Sequence, residues 1–363
     1  MEKVFSMTAG DGDRSYAQNS SFWQKSVLLG TKSILEESIR SWKTLFECDK
    51  LLIADLGCSS GPNTLLVTQL ITTEIRNKYA DRGIAVPEFQ IFFNDLPSTD
   101  FNSLFRLLSA ASPVETSCFV AGVPGSFHNR LFPLNSLHFV HSCYSLHWLS
   151  RVPPEVEDRN SKCWNKGRIF ISEQGPDAGV LNAYFAQFQK DFNGFLRARA
   201  MEVVKGGRMF VVVNGRLSSG RRRLGTAAVY WNWLGSAIQD LVSQKFIEEE
   251  KLDSFNMPYY AASLDELIGE VHKEGSFTMV GHEVIVGQRN IEKNDDIEKG
   301  KYISKQMRAI SENLISYHFG EEMVDVIFNR YAEILATNMR EIEEEILKES
   351  TKIALILERN GST

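Results

Sequence analysis

The sequence has no uninterrupted apolar run long enough to cross a membrane. A membrane-spanning helix needs roughly 18 or more apolar residues, and no window of the 363 residues approaches that length. The first residues, Met-Glu-Lys, do not lead into the apolar core of a signal peptide. We therefore expect a cytoplasmic protein with no membrane partner.

The cysteines lack the spacing of a disulfide framework or a zinc site. There are five of them, an odd number, and no two form a Cys-x-x-Cys pair. Reduced thiols are typical of the cytosol, where disulfides are rare. The cysteine pattern therefore agrees with a cytoplasmic location.

The chain also lacks an excess of basic residues. It has 40 Lys and Arg against 46 Asp and Glu, a net charge of −6, and the basic residues are dispersed. The cluster 221–223, three arginines, is typical of a solvated loop. We predict no nucleic-acid partner.

Two glycine-rich phosphate-binding patterns are missing. Neither Gly-x-Gly-x-x-Gly nor Gly-x-x-x-x-Gly-Lys occurs, which disfavours NAD and ATP. Residues 51–64 instead run from apolar side chains into Asp55, Gly57 and Gly61, and Asn63 opens an amphipathic segment. This order predicts a buried strand, a tight turn and a helix. The glycines allow a ligand to approach the backbone N–H groups at the start of the helix.

A second strand is predicted at residues 89–93, and Asn94 and Asp95 follow it. A carboxylate at the carboxyl end of this strand can accept hydrogen bonds from both hydroxyls of a ribose. The preceding turn has no basic residue for a pyrophosphate. A nucleoside without pyrophosphate, such as S-adenosylmethionine, therefore suits the turn better than a dinucleotide.

Alternating strands and helices predict an α/β fold with a doubly wound, Rossmann-like sheet. We assign residues 1–214, 276–290 and 351–363 to this domain, with segment 1–46 closing over the site. Residues 215–275 and 291–350 are mostly helical and predict a cap over an acceptor pocket. The loops 123–127 and 142–148 follow predicted strands, so they should line the site.

Six ordered motifs resemble those of the plant SABATH methyltransferases, which include salicylate, benzoate and jasmonate carboxyl methyltransferases and caffeine and theobromine synthases. The motifs are residues 15–20, 55–64, 93–96, 122–127, 141–149 and 253–258. The resemblance implies a class I methyltransferase fold with a helical cap. It also implies S-adenosyl-L-methionine as donor, S-adenosyl-L-homocysteine as product, a small-molecule acceptor and a homodimer.

The resemblance also implies site residues, by position in this sequence. The cofactor-binding residues are Ser20, Asp55, Asn63, Asp95, Leu96, Ser126 and Phe127. We add Gly57, because a glycine in the turn lets a ligand approach the backbone. The substrate-binding residues are Tyr16, Gln24, Tyr144, His147, Trp148, Asn214, Tyr230, Trp231, Tyr260, Met307, Ile310 and Ile353. A magnesium site described for some members falls on Asn165, Asp253, Phe255 and Asn256. Only one of these four side chains is charged, so we do not expect a catalytic magnesium ion.

Methyl transfer from a sulfonium requires mainly that a nucleophile be held in line and that water be excluded. Gln24, His147 and Trp148 are the predicted catalytic residues. Gln24 and the indole N–H of Trp148 can grip a carboxylate or a ring carbonyl. For an acceptor with a ring N–H, His147 either receives the proton or orients the substrate by a hydrogen bond.

Several features favour a xanthine or methylxanthine acceptor. Residues 19–24 have the spacing of caffeine synthases, Thr8 replaces a lysine common in salicylate enzymes, and Asn214 and Tyr230 add hydrogen-bonding capacity. The alternative is a carboxyl O-methyltransferase that esterifies salicylate, benzoate or a related acid. A third hypothesis is a small-molecule receptor on a methyltransferase scaffold, which the intact donor-site residues disfavour.

Overall fold

A computed structural model of the chain describes residues 6–10, 12–47, 49–110, 117–172, 178–217, 224–287 and 293–361. Within these ranges, the side chains of residues 21–26, 47 and 347–349 are outside the description. The arginine cluster 221–223 and residues 288–290 of the predicted sheet domain lie outside the described residues.

The described residues include seven strands and eleven α-helices. The strands are β1 (Lys50–Leu56), β2 (Glu88–Asp95), β3 (Cys118–Pro124), β4 (Leu137–Cys143), β5 (Val203–Gly215), β6 (Phe277–Val286) and β7 (Thr351–Arg359). The helices are α1 (Tyr16–Asn19), α2 (Ser21–Arg40), α3 (Asn63–Ala80), α4 (Phe101–Ala110), α5 (Ala178–Glu202), α6 (Thr226–Ser243), α7 (Glu249–Asp253), α8 (Leu264–Glu274), α9 (Asp296–Phe319), α10 (Glu321–Thr337) and α11 (Met339–Glu349).

The strands form one mixed sheet in the order β3-β2-β1-β4-β5-β7-β6. The first five strands are parallel, and β7 runs antiparallel to both β5 and β6. The chain builds the sheet outward from β1 to β3, then returns to place β4 on the other side of β1. Ligands of such sheets bind at this reversal, beyond the carboxyl ends of the strands. The predicted α/β, Rossmann-like class is confirmed.

Apolar side chains cover both faces of the sheet, as alternation along the strands requires. In β5, Val211 and Val213 face a core that contains Phe188 and Phe192 of α5. Phe210 and Val212 of the same strand face the opposite core, which α2 and α3 cover. The carboxyl ends of the strands are thereby left as the open edge where a site can form.

Helices α6, α9, α10 and α11 pack on one another above this edge, whereas α8 packs against α5 and β6 beside the sheet. The division into a sheet domain and a helical cap stays a prediction, and we place α8 with the sheet. The described helices include none with the length and apolarity needed to cross a membrane.

Segment 6–20 joins the cap to the sheet. The Thr8 N–H donates to Ala309 O of α9 at 3.0 Å, and the Asn313 side-chain amide of α9 donates to Ser6 O. At the other end of the segment, Ala17 of α1 packs on Gly61, where a Cβ would lie 3.3 Å from the Ala17 Cα. The segment therefore covers the edge of the sheet at the predicted turn.

Gly300 allows α9 and α10 to approach closely. A Cβ at this position would lie 2.5 Å from Ala332 O and 2.9 Å from Ala336 N of α10. We expect Gly300→Ala to destabilise the protein by about 1–3 kcal/mol, because packed helices cannot accommodate the methyl group. Denaturant unfolding monitored by circular dichroism measures this change.

Gly269→Ala is the matched control. Gly269 lies exposed in α8, and no atom lies within 4 Å of the position that an alanine methyl group would take. Alanine should therefore stabilise the helix by roughly 0.5–1 kcal/mol. A Gly300→Ala variant as stable as the wild type would contradict the close packing of α9 on α10.

Candidate active site

The turn after β1 is bound to the end of β2 by three consecutive N–H groups. Gly57 and Cys58 both donate to Asn94 O, at 2.9 and 3.0 Å. Ser59 donates to Asp95 Oδ2 at 2.7 Å. Residues Asn94 and Asp95 therefore fix the shape of the turn that the sequence predicts as the donor site.

Gly57 has no room for a side chain. Its φ of +79° lies in the left-handed region, and a Cβ would collide with the Ser145 Oγ and approach the Phe127 ring to 3.6 Å. Glycine is required here both by the backbone conformation and by the close approach. The turn, the loop that contains Phe127 and the loop that contains Ser145 therefore meet at one point.

Asp95 is held by its neighbours on both oxygens. Besides the Ser59 contact, Oδ1 accepts from the Leu96 N–H at 2.7 Å and from the Thr99 hydroxyl at 2.8 Å. Burial raises the pKa of Asp95, while hydrogen bonds from the backbone N–H groups of Ser59 and Leu96 act to lower it. Two carboxylate oxygens can accept about four hydrogen bonds, so acceptor capacity remains for a ligand.

Ser126 and Phe127 lie beside Asp95. Gly125 N–H donates to Asp95 O at 2.9 Å, and the Asn94 side-chain amide donates to the carbonyls of Val123 and Gly125 at 2.8 and 2.9 Å. The loop after β3 is thereby tied to the end of β2. The structure brings Gly57, Asp95, Leu96, Ser126 and Phe127 together at the carboxyl ends of β1, β2 and β3, a place that we call the crevice.

Asp55, Asn63 and Ser20 lie on the other side of the turn. The buried Asp55 carboxylate accepts from the Thr64 hydroxyl and contacts His141 Nδ1 at 2.7 Å. The Asn63 amide donates to Ser20 Oγ at 2.8 Å. These contacts attach α3 and the N-terminal segment to the end of β1.

A chamber with about 730 Å³ of empty space, open solvent at its mouth included, lies between the carboxyl ends of β4 and β5 and the helices α6 and α9. Nine of the twelve predicted substrate-binding residues line it. They are Tyr16, Tyr144, His147, Trp148, Asn214, Tyr230, Trp231, Met307 and Ile310. Ser20 also lines it, so one predicted cofactor-binding residue shares the cavity with the predicted substrate-binding residues. Met7, Asn19, Ala227, Tyr259, Gln306 and Ala309 complete the lining and were not predicted from the sequence.

Of the other three predicted substrate-binding residues, Tyr260 and Ile353 are not among the described lining residues. The Tyr260 hydroxyl contacts Arg216 at 2.7 Å and donates to Glu266 at 3.0 Å, and the adjacent Tyr259 faces the chamber. Ile353 is fully buried in β7, where it packs on Gly215. The Gln24 side chain lies outside the described residues.

His147 is neutral and has a defined tautomer. Its Nδ1 accepts a hydrogen bond from the Asn214 N–H at 3.3 Å, so the ring proton of the neutral imidazole resides on Nε2. Burial lowers the pKa of His147 to about 3. The ring therefore presents an N–H donor and not a free base.

Tyr259 packs against both His147 and Trp148. Its ring centroid lies 4.5 Å from that of His147 and 5.2 Å from that of Trp148, with the Trp148 contact edge to face. The Asn214 side-chain amide donates to the Tyr259 hydroxyl at 3.0 Å. Asn214 thus lines the chamber and also holds Tyr259 and His147 in place.

Two of the four residues considered as magnesium ligands already accept hydrogen bonds from protein groups through their side-chain oxygens. Asn165 Nδ2 donates to Asn256 Oδ1 at 2.8 Å, and Gly167 N–H donates to Asp253 Oδ1 at 2.8 Å. In the part of the chain that the structure describes, no three His, Cys, Asp or Glu side chains group as metal ligands. With one carboxylate and these oxygens engaged, Asn165, Asp253, Phe255 and Asn256 fit a magnesium ion poorly.

Comparison with known proteins shows which family has this sequence. The family described as SAM dependent carboxyl methyltransferase matches residues 2–360. The chain belongs to this family. It is an S-adenosylmethionine-dependent methyltransferase of the SABATH group, as the resemblance in the sequence predicts.

Relatives of known name include enzymes of both predicted kinds. A probable caffeine synthase 4 of Camellia sinensis is 41% identical, with 99% of each chain covered. A salicylate carboxymethyltransferase of Clarkia breweri is 43% identical, with 98% of this chain and 97% of the relative covered. The solved structure of a loganic acid methyltransferase with SAH matches with a TM-score of 0.89 at 39% identity, covering 98% and 99% of the two chains.

Gly57→Ala should abolish tight binding of the donor product. The methyl group would collide with the Ser145 hydroxyl and displace the turn, so we expect the affinity for S-adenosylhomocysteine to fall at least about tenfold, or ~1.4 kcal/mol. Isothermal titration calorimetry measures this affinity.

Gly83→Ala separates backbone strain from the collision. Gly83 also has a positive φ, +65°, but no atom lies within 4 Å of its Cβ position. This variant should lose about 1–2 kcal/mol of stability and bind S-adenosylhomocysteine as the wild type does. Unchanged affinity in Gly57→Ala would show that the turn does not contact the ligand.

Proposed function

We propose that this methyltransferase transfers the methyl group of S-adenosylmethionine to the carboxylate of a small planar acid. The observation that supports this choice is the state of His147: its Nδ1 accepts the Asn214 N–H, and burial lowers its pKa to about 3. A carboxylate is already anionic at neutral pH, so its methylation needs no base. A neutral ring N–H must lose a proton, and His147 is a poor acceptor for it.

The hydrogen-bond donors of the chamber suit a carboxylate. His147 Nε2–H and the Trp148 indole N–H belong to rings whose centroids are 6.2 Å apart, and both line the cavity. The described lining residues include no lysine or arginine. The acid would therefore be oriented by neutral N–H groups, and Gln24 remains a predicted third donor.

Aromatic side chains supply the walls that exclude water. Tyr144, Trp148, Trp231 and Tyr259 surround the cavity, and flat rings favour a flat acceptor. S-adenosylmethionine supplies an activated methyl group, so the residues of the chamber have only to orient the acceptor and keep it dry.

The donor would be held by the crevice beside the chamber. We propose that Asp95 accepts from the ribose hydroxyls and that Ser126 and Phe127 bind the adenine. Gly57 allows close approach, Asp55 lies at the end of β1, and Asn63 donates to Ser20, which lines the chamber. The hydrogen bonds that already fix Asp95 and its neighbours support a site that is formed before the donor binds.

The alternative is N-methylation of a xanthine or methylxanthine, the acceptor that the sequence features favour. Relatives named caffeine synthases support it, as do the polar groups of Tyr230 and Gln306 in the lining. In this case a xanthine that binds as its anion would avoid the need for a base.

We also propose a cytoplasmic homodimer. On one side of the molecule, Leu29 of α2 is 76% exposed and Val286 of the edge strand β6 is 58% exposed, and Gly30 lies beside Ile285. An exposed apolar surface of this kind suits a subunit interface. Light scattering should give twice the chain mass of 41.1 kDa, and the mass of a single chain would contradict the proposal.

A methyl-transfer assay with labelled donor tests the choice of acceptor. We expect labelled product with benzoate, salicylate or a related planar acid, and none with xanthine, the monomethylxanthines or theobromine. Mild base should release the label, because it hydrolyses a methyl ester and leaves an N-methyl group intact. Base-stable label on a xanthine would overturn the carboxylate proposal in favour of the alternative.

The pH dependence of kcat for the preferred acid tests the role of His147. Because the pKa of His147 lies near 3, the ring stays neutral above about pH 5, and we expect no inflection from it between pH 6 and 9. A loss of kcat as the pH falls through about 6.5, the ordinary pKa of histidine, would show that a free imidazole acts as base.

A further inference from the structure

A buried ion pair on α5 lies outside the crevice and the chamber. The Arg199 and Glu202 side chains have no solvent exposure, and Arg199 Nε donates to Glu202 Oε2 at 2.7 Å. Burying two charges costs free energy that their attraction offsets only when the other hydrogen-bonding positions are also satisfied. The further hydrogen bonds that the structure describes for these two side chains all go to one loop.

Arg199 and Glu202 together hold four backbone groups of residues 127–132. The two terminal nitrogens of Arg199 donate to Phe127 O at 2.8 Å and to Asn129 O at 2.9 Å. Glu202 Oε1 accepts from the N–H groups of Leu131 and Phe132. The pair therefore sets the path of the loop that begins at Ser126 and Phe127.

The ring of Phe127 is also supported from α5. Phe195 packs edge to face against it with centroids 6.3 Å apart, and the Arg199 guanidinium lies 5.2 Å from the Phe195 ring centroid. One turn of α5 thus fixes both the backbone of Phe127 and the orientation of its ring.

We propose that Arg199 and Glu202 are positioning residues for the donor, because they hold Ser126 and Phe127 at the spacing that the adenine requires. The inference rests on the proposed donor site. Neither residue contacts the ligand. Their contribution is to order the loop before binding, so that the cost of ordering it does not reduce donor affinity.

Arginine is needed at this position because its planar guanidinium holds several N–H donors in a fixed geometry. Its planar guanidinium donates to Glu202 and to two carbonyls at once, whereas a lysine ammonium on a flexible stem cannot reproduce that geometry. Arg199→Lys keeps the positive charge and releases at least one carbonyl of the loop. Glu202→Gln removes the negative charge and leaves its size nearly unchanged.

Calorimetric titration of the full chain with S-adenosylhomocysteine tests the proposal. We expect both Arg199→Lys and Glu202→Gln to bind about tenfold or more weakly. In the methyl-transfer assay the donor KM should rise by a similar factor. The acceptor KM and the kcat at saturating donor should stay within about twofold of the wild type, a split that general destabilisation does not produce.

Arg208→Lys is the control, because it makes the same substitution at a buried arginine that is ion-paired elsewhere in the molecule. Arg208 pairs with Glu358 at 2.8 Å and donates to Ser38 O of α2 and to Ser41, which follows α2, away from the loop. The Arg208→Lys variant should have a lower melting temperature and an unchanged affinity for S-adenosylhomocysteine. The double variant Arg199→Met/Glu202→Met removes both charges, so it avoids a lone buried charge and should still bind the ligand weakly.

Hydrogen exchange on the ligand-free wild type provides a test without substitution. The Leu131 and Phe132 amides should exchange as slowly as those in the middle of α5. Fast exchange at these amides, or wild-type affinity in the two single variants, would overturn the positioning role. If the wild type itself does not bind S-adenosylhomocysteine, the proposed donor site fails and not this inference alone.

Discussion

The structure of the site depends on how the end of β2 binds the turn after β1. Three successive N–H groups of the turn donate to the Asn94 carbonyl and the Asp95 carboxylate. The Asn94 side chain binds the next loop through two carbonyls. One dipeptide therefore aligns the turn, the proposed ribose-binding acid Asp95 and the proposed adenine-binding loop without any ligand. A site ordered in this way loses little entropy when the donor binds.

Burial determines the chemistry of the neighbouring chamber. His147 would titrate near neutral pH in water, but in the dry aromatic cluster with Tyr259 and Trp148 it stays neutral and holds its proton on Nε2. The same residue type that suggests a base in the sequence is thus a hydrogen-bond donor in the fold. A pocket that orients its acceptor without removing a proton is suited to a substrate that is already anionic.

The proximity of the predicted donor-site residues could be inferred from the sequence because the signals are local. Apolar strands, glycines in the turn and an acid after β2 stand within short segments, and the parallel sheet brings their ends together. The chamber depends on distant contacts. Tyr259 and Tyr260 are adjacent and chemically identical, and only the bridge between Trp148 and Tyr259 decides which faces the cavity. The tautomer of His147 depends on a backbone N–H 67 positions away. The role of Arg199 could not be predicted either, because its carbonyl partners lie about 70 positions earlier in the chain.

Asp95, which accepts three hydrogen bonds from its neighbours, is the residue on which the proposed donor site depends most. The most direct test of this dependence is the affinity of S-adenosylhomocysteine for Asp95→Ala, with Asp100→Ala as the control, since the Asp100 carboxylate binds Ser103 at the start of α4. Asp95→Ala should bind the ligand at least about tenfold more weakly, ~1.4 kcal/mol, and Asp100→Ala should bind it as the wild type does. Equal affinity in the wild type and Asp95→Ala would contradict the account.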